Sequence, residues 1–166
     1  MVTKQDLIHI LNDSSFEYSI KEHKPLFTVE DSQTLRGEIP GGHSKNLFLK
    51  DVKGQFYLLS VEENSSIDLK KTMTCINSKK LSFAKPEYLK LILGIEPGSV
   101  SPFALLNDSN KKVIFYFDQS FLKYEKVNFH PLINTATVSI NPKNLIKLIE
   151  KYHSKVNFID VGPLKK

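Results

Sequence analysis

The sequence is poor in cysteine, arginine and long apolar runs, and it contains no tryptophan. Cys75 is the sole cysteine, so no intramolecular disulfide can form, a cysteine-based zinc site is excluded, and a reducing compartment is implied. No apolar run approaches the roughly 18 residues of a membrane span, and the start MVTKQDLIHI is too short and too polar for a signal segment. No membrane partner is expected, and a cytoplasmic location is the simplest. Walker loops, GxGxxG fingerprints, HExxH helices and GxSxG elbows are all missing, which removes the commonest nucleotide, zinc-protease and serine-hydrolase chemistries. The five histidines lack the i, i+4 pairing of a helical metal site. Neither a metal nor any other cofactor is expected.

What is present fits one globular domain spanning residues 1–166, at 40% hydrophobic and 25% charged and long enough to bury a sizeable core. Lys plus Arg outnumber Asp plus Glu by 23 to 18, and Arg36 is the one arginine among those cations. This excess suits a polyanionic partner such as nucleic acid, or it reflects a lysine-rich composition with no such meaning. Cys75, within the helix-compatible run IDLKKTMTCI, reads as a core residue rather than a nucleophile, because reactive thiols need an electropositive, partly exposed setting.

The pattern predicts an N-terminal helix capped by Thr3, with Asp6 completing a capping box. A half-buried strand with Phe16, Tyr18 and Ile20 on one face follows, then a short helix after Thr28. A hairpin pairs residues 46–50 with 55–61 around a turn at 51–54. Helices are expected at 68–76 and 86–93, with Gly94 just past the second. Strands are expected at 104–106, 113–118, 127–130 and 135–140, then an amphipathic helix opened by Asn141 and Pro142, and a last strand at 156–160. Strands interrupted irregularly by helices favour α+β with a mixed sheet over a regular βαβ repeat.

His9 and His153 fall in helix-like segments, as surface or packing residues. His23, His43 and His130 lie beside Pro or Gly in expected loops, where functional residues concentrate. Three such loops stand out, GGHSKN at 41–46, PGSVSP at 97–102 and NFHPLINTAT at 128–137, though each alone is an ordinary turn. Together the phrases GGHSKNLFLKD, LSFA, LGIEPGSVSPFALLND and NFHPLINTATVSI, in this order and at these separations, resemble the YbaK/ProX family of aminoacyl-tRNA deacylases. Within it the free-standing prolyl-tRNA editing group of the ProXp-ala (PrdX) type is most similar. The resemblance runs from about His23 to about Ile149.

It implies a mixed, partly closed β-sheet with surrounding helices, and a trans-editing hydrolase that removes alanine wrongly esterified to the proline tRNA. The alternatives it leaves are a deacylase for cysteinyl or another small aminoacyl ester, and a catalytically silent tRNA-binding module. The acceptor end of the proline tRNA is the implied partner, with prolyl-tRNA synthetase as a further candidate. Lys45 and Asn46 fall on the family's lysine and asparagine in the KNLFL strand. Gly98 and Pro102 fall on the ends of the GxxxP loop, and His130 on the histidine of the HPL phrase.

An aminoacyl ester is already activated, so such a site must hold it, stabilise an oxyanion and admit water, without a protein nucleophile. The N–H groups of Gly98 and Ser99 are candidate oxyanion donors, since glycine lets backbone approach closely. Lys45 would meet a phosphate of the terminal adenosine or fix the ester. His130 has the reference pKa for proton transfer near neutrality, and a positioning role is the alternative. Leu26, Phe27, Val29 and Phe103 are candidate walls of an alanine-sized sieve, against the alternative that they pack the core. Lys21, Lys24, Lys50, Lys53, Lys70, Lys71, Lys79 and Lys80 are candidate phosphate contacts.

Overall fold

The computed structural model describes residues 1–26 and 29–166, apart from the side chains of Val29, Ser32, Leu35 and Arg36. The helices are α1 (Lys4–Asp13), α2 (Val29–Glu38), α3 (Leu69–Ile76), α4 (Pro86–Tyr88, continued by a π-helical turn Leu89–Leu93) and α5 (Pro142–Tyr152). The strands are β1 (Tyr18–Glu22), β2 (Gly42–Asp51), β3 (Phe56–Glu62), β4 (Leu81–Phe83), β5 (Val113–Asp118), β6 (Val127–Phe129), β7 (Ala136–Ile140) and β8 (Asn157–Ile159). They form one mixed, open sheet in the order β1-β7-β6-β2-β3-β5-β8, with the short β4 also paired to β2. The expected α+β class with a mixed sheet and surrounding helices is what the chain adopts.

Local chemistry explains many boundaries. Thr3 and Asp6 form the capping box of α1, and the Asn141 side chain accepts from the Lys143 N–H at the start of α5, satisfying N–H groups that a helix start leaves orphaned. Asp51 accepts from the Lys53 and Gln55 N–H groups at 3.0 Å each and closes the β2–β3 hairpin. Gly94 ends the π-helical turn at φ 64°, a left-handed conformation that glycine adopts without a Cβ penalty.

Period-two alternation gives β2 and β3 two buried faces. Phe48, Phe56 and Leu58 join the larger core with Leu7, Phe115, Phe117, Phe121 and Leu148. Leu49, Tyr57, Leu59 and Val61 join a smaller one with Ile67 and Leu164, against which Leu69, Met73 and Ile76 pack. Elsewhere in the interior, His153 Nε2 donates to the Asp108 carboxylate at 2.8 Å with both side chains buried.

Four sequence expectations need correction. Residues 104–106 are not a strand but part of a 3-10 helix, Pro102–Asn107, because proline at its first position presets the helical φ. GGHSKN is mostly strand rather than loop, since β2 starts at Gly42. β1 is mostly exposed rather than half-buried, with Ile20 37% exposed. Cys75 is exposed, not core. The inward stripe of α3 is Leu69, Thr72, Met73 and Ile76, an i, i+3, i+4, i+7 set that Cys75 falls outside.

Among the described residues no helix is long and apolar enough to cross a membrane, and no cluster of three metal-ligating side chains occurs.

Candidate active site

At the junction of β2, β6 and β7 lies a cleft of about 80 Å³, lined by Leu26, Ser44, Asn46, Glu63, His130 and Thr137 among others. That is room for a small side chain and a few waters. The floor is a polar network. Ser60 donates to the Asn46 Oδ1, and the Asn46 amide donates to Ser44 Oγ at 3.3 Å. Ser44 Oγ donates to the Asn128 carbonyl at 2.9 Å, while the Asn128 amide donates to the Gly42 carbonyl at 3.0 Å and accepts from Ser139. These bonds fix the orientation of the Asn46 amide and leave its second N–H for the cleft.

The opposite wall offers acceptors. His130 Nδ1 lies 2.9 Å from the Ala136 carbonyl, which requires the proton on Nδ1 and leaves Nε2 as a lone pair in the neutral ring. Among the described residues Nε2 has no hydrogen-bond partner. Burial pushes the His130 pKa below the ordinary histidine value and nearby His23 adds to this, against the bond to Ala136, which raises it. His23 Nδ1 lies 2.8 Å from the Lys24 carbonyl, which requires the proton on Nδ1, so that in the tautomer this selects, Nε2 accepts from the Thr137 hydroxyl at 2.9 Å. Thr137 therefore turns lone pairs toward the cleft, and the two imidazoles stand 6.0 Å apart.

The GSVSP loop is bound to this wall through Ser101, whose fully buried hydroxyl donates to the His130 carbonyl at 2.7 Å. Gly98 sits at φ 91°, and a Cβ there would stand 3.3 Å from Asn134 Nδ2. That amide donates in turn to the Leu26 carbonyl at 3.3 Å. Asn134 thus stands between the loop and the cleft wall. The Ser99 N–H, expected as an oxyanion donor, donates instead to the Glu96 carbonyl at 3.1 Å. Pro102 is buried as the start of its 3-10 helix. Phe103 is not a cleft wall: it is wholly buried and packs edge-on against Phe129 at 6.5 Å. Leu26 does line the cleft. Phe27 and the Val29 side chain lie outside the described residues.

Lys45 is set apart from all of these. Strand alternation places it, opposite Val61, on the smaller-core face, whereas Asn46 opposite Ser60 faces the cleft. Its ammonium donates to the Ser65 carbonyl, and burial, with Lys166 nearby, lowers its pKa. The structure therefore brings Asn46, His130 and Leu26 together and turns Lys45 to the other side of the same strand. Sequence reasoning missed Ser44, Asn128 and Thr137, polar residues on strands β2, β6 and β7 whose meeting is legible only once the strand partners are known, and Ser101, a loop serine with no local signal of its own.

Residues 23–148 match the family model described as the aminoacyl-tRNA editing domain. The chain is 37% identical over 151 residues to the "Prolyl-tRNA editing protein ProX" of Acetoanaerobium sticklandii, covering 90% of this chain and 92% of that one. It is 33% identical to the "Prolyl-tRNA synthetase associated domain-containing protein 1" of Xenopus laevis, covering 89% and 90%. A crystal structure of a candidate trans-editing enzyme for prolyl-tRNA synthetase superposes with a TM-score of 0.73 at 23% identity, covering 98% of this chain and 96% of that one. With a family model spanning the cleft and relatives matched along nearly their whole length, the chain belongs to the aminoacyl-tRNA editing domain family.

Proposed function

We propose that this aminoacyl-tRNA deacylase clears alanine wrongly esterified to the proline tRNA. The observation that carries the reading is His130, with Nδ1 tied to the Ala136 carbonyl and Nε2 open in a cleft of about 80 Å³. The printed name of the bacterial relative, a prolyl-tRNA editing protein, supports the choice of tRNA, and the size of the cleft supports the choice of alanine.

A water held by His130 Nε2 and the Thr137 lone pairs attacks the ester carbonyl carbon and gives its proton to Nε2. The Asn46 N–H meets the oxyanion, a donor fixed in place before reaction by Ser60 and Ser44. As the carbonyl–ribose oxygen bond breaks, His130 returns the proton to the ribose oxygen, leaving free alanine and an uncharged tRNA. Gly98 and Pro102 shape the loop whose Ser101 holds the His130 backbone, and Asn134 and Leu26 close the side of the sieve. A proline ring overfills such a recess, at a cost of about 1–3 kcal/mol.

The test is a deacylation panel with alanyl, cysteinyl, seryl and prolyl esters on the same tRNA. The alanyl ester is expected to be cleared fastest and the prolyl ester slowest. Faster clearance of cysteinyl than alanyl ester would replace the substrate, and binding without turnover of any ester would replace the activity.

A further inference from the structure

A larger recess lies on the opposite face of β2. It is a groove of about 620 Å³ whose floor is Leu47, Ile67, Leu69 and Phe83 and whose rim carries Lys45, Lys70 and Lys166. Phe83 is 62% exposed on the short strand β4, an unusual place to leave an aromatic ring uncovered. The charge is unbalanced: among the described residues lining the groove the one acid is Asp68, and its carboxylate is occupied as the cap of α3, accepting from the Lys70 and Lys71 N–H groups at 2.8 and 3.4 Å. Lys45 spends one of its three donors on Ser65 and keeps two. Lys166 is held at the rim by its own N–H, which donates to the Ser66 carbonyl at 3.0 Å.

Neighbouring residues line the cleft and the groove. The segment after β3 contributes Glu63 to the cleft and Ser66 to the groove, and the neighbouring residues Asn46 and Lys45 face one recess each. We propose that this groove is a second nucleotide site, which holds the unpaired nucleotides preceding the esterified adenosine, with phosphates on Lys45, Lys70 and Lys166 and a base stacked on Phe83. Ammonium groups around an apolar, aromatic floor are what an unpaired RNA strand requires, since phosphate contacts supply affinity and an exposed ring accepts any base face. The inference rests on the reading that the substrate is an aminoacyl-tRNA, but not on which amino acid is removed.

The test is binding of a short, labelled, uncharged single-stranded RNA ending in CCA, read by fluorescence anisotropy across a salt series. Phe83→Ala is expected to weaken binding roughly five- to hundredfold. The double variant Lys70→Ala with Lys166→Ala is expected to weaken it and to flatten the salt slope by about 0.7 for each lysine removed. Hydrolysis of alanyl-adenosine, which has an ester but no preceding nucleotides, should be unchanged in both variants, while KM for alanyl-tRNA rises. Wild-type affinity and salt slope in both variants would overturn the proposal, as would equal losses on alanyl-adenosine and alanyl-tRNA. Failure of wild-type protein to clear any alanyl ester would instead overturn the alanine reading, and the RNA-binding result would still decide the groove.

Discussion

The two faces of β2 carry different kinds of chemistry one residue apart. On the larger-core face, Asn46 sits in a network of neutral donors and acceptors that runs through Ser60, Ser44, Asn128 and Ser139. On the other face, Lys45 stands at an open groove with Lys70 and Lys166. Neutral groups locked by hydrogen bonds suit transition-state stabilisation, because they need no reorganisation as charge develops. Ammonium groups at an open rim suit a polyanion, which they attract across water and hold without strict geometry. A single strand can serve both purposes because its pleat separates them.

The sharpest way to break this comparison is His130→Ala. Single-turnover deacylation should fall by roughly 10²–10⁴ while binding of the CCA-ended RNA stays at the wild-type level. Asn46→Ala should follow with a loss of roughly 10²–10³ in the same measurement; an effect on KM alone would move Asn46 out of the oxyanion role. Lys45→Ala, one residue away, should act chiefly on KM for alanyl-tRNA, by about tenfold, as expected for a partly exposed contact to a charged group.

A pH profile sharpens the same contrast. In the proposed mechanism the base form of His130 takes the proton, and its pKa is lowered from 6.5 by burial, so kcat should hold below pH 6.5 and decline at more acid pH. The sign for stability agrees. With the folded pKa below the unfolded one, protonation favours the unfolded chain, so this contribution is full above about pH 6.5 and is lost as pH falls toward the depressed value. Thermal unfolding followed from pH 7.5 downward reads this directly. The smallest effect is expected for Cys75→Ser, within about 0.5 kcal/mol of wild-type stability and with unchanged deacylation, because the thiol lies off the inward stripe of α3.

The sequence was most legible where local chemistry decides the structure. The hairpin was readable because Asp51 and Gly54 mark a turn between two alternating runs, and α1, α3 and α5 because Thr3, Asp68 and Asn141 are caps. The run at 104–106 misled because a short apolar stretch fits a buried helix as well as a strand; Pro102 was the signal to weigh. β4 escaped notice because three residues carry too little period. In the site, His130 and Asn46 could be named from the phrases around them, and His23 and His43 from their Pro and Gly neighbours. Their relation to Lys45 could not. That relation depends on which face each strand residue takes, and the start of β2 at Gly42 carries the glycine-rich composition of a loop.

Ser101 joins two stretches of chain 29 residues apart, its hydroxyl on the His130 carbonyl. The GSVSP loop and the histidine segment therefore behave as one mechanical part. Any attempt to transplant the proposed site onto another scaffold must carry both pieces in register. A loop lengthened by a residue would displace the imidazole even though nothing near it in sequence had changed.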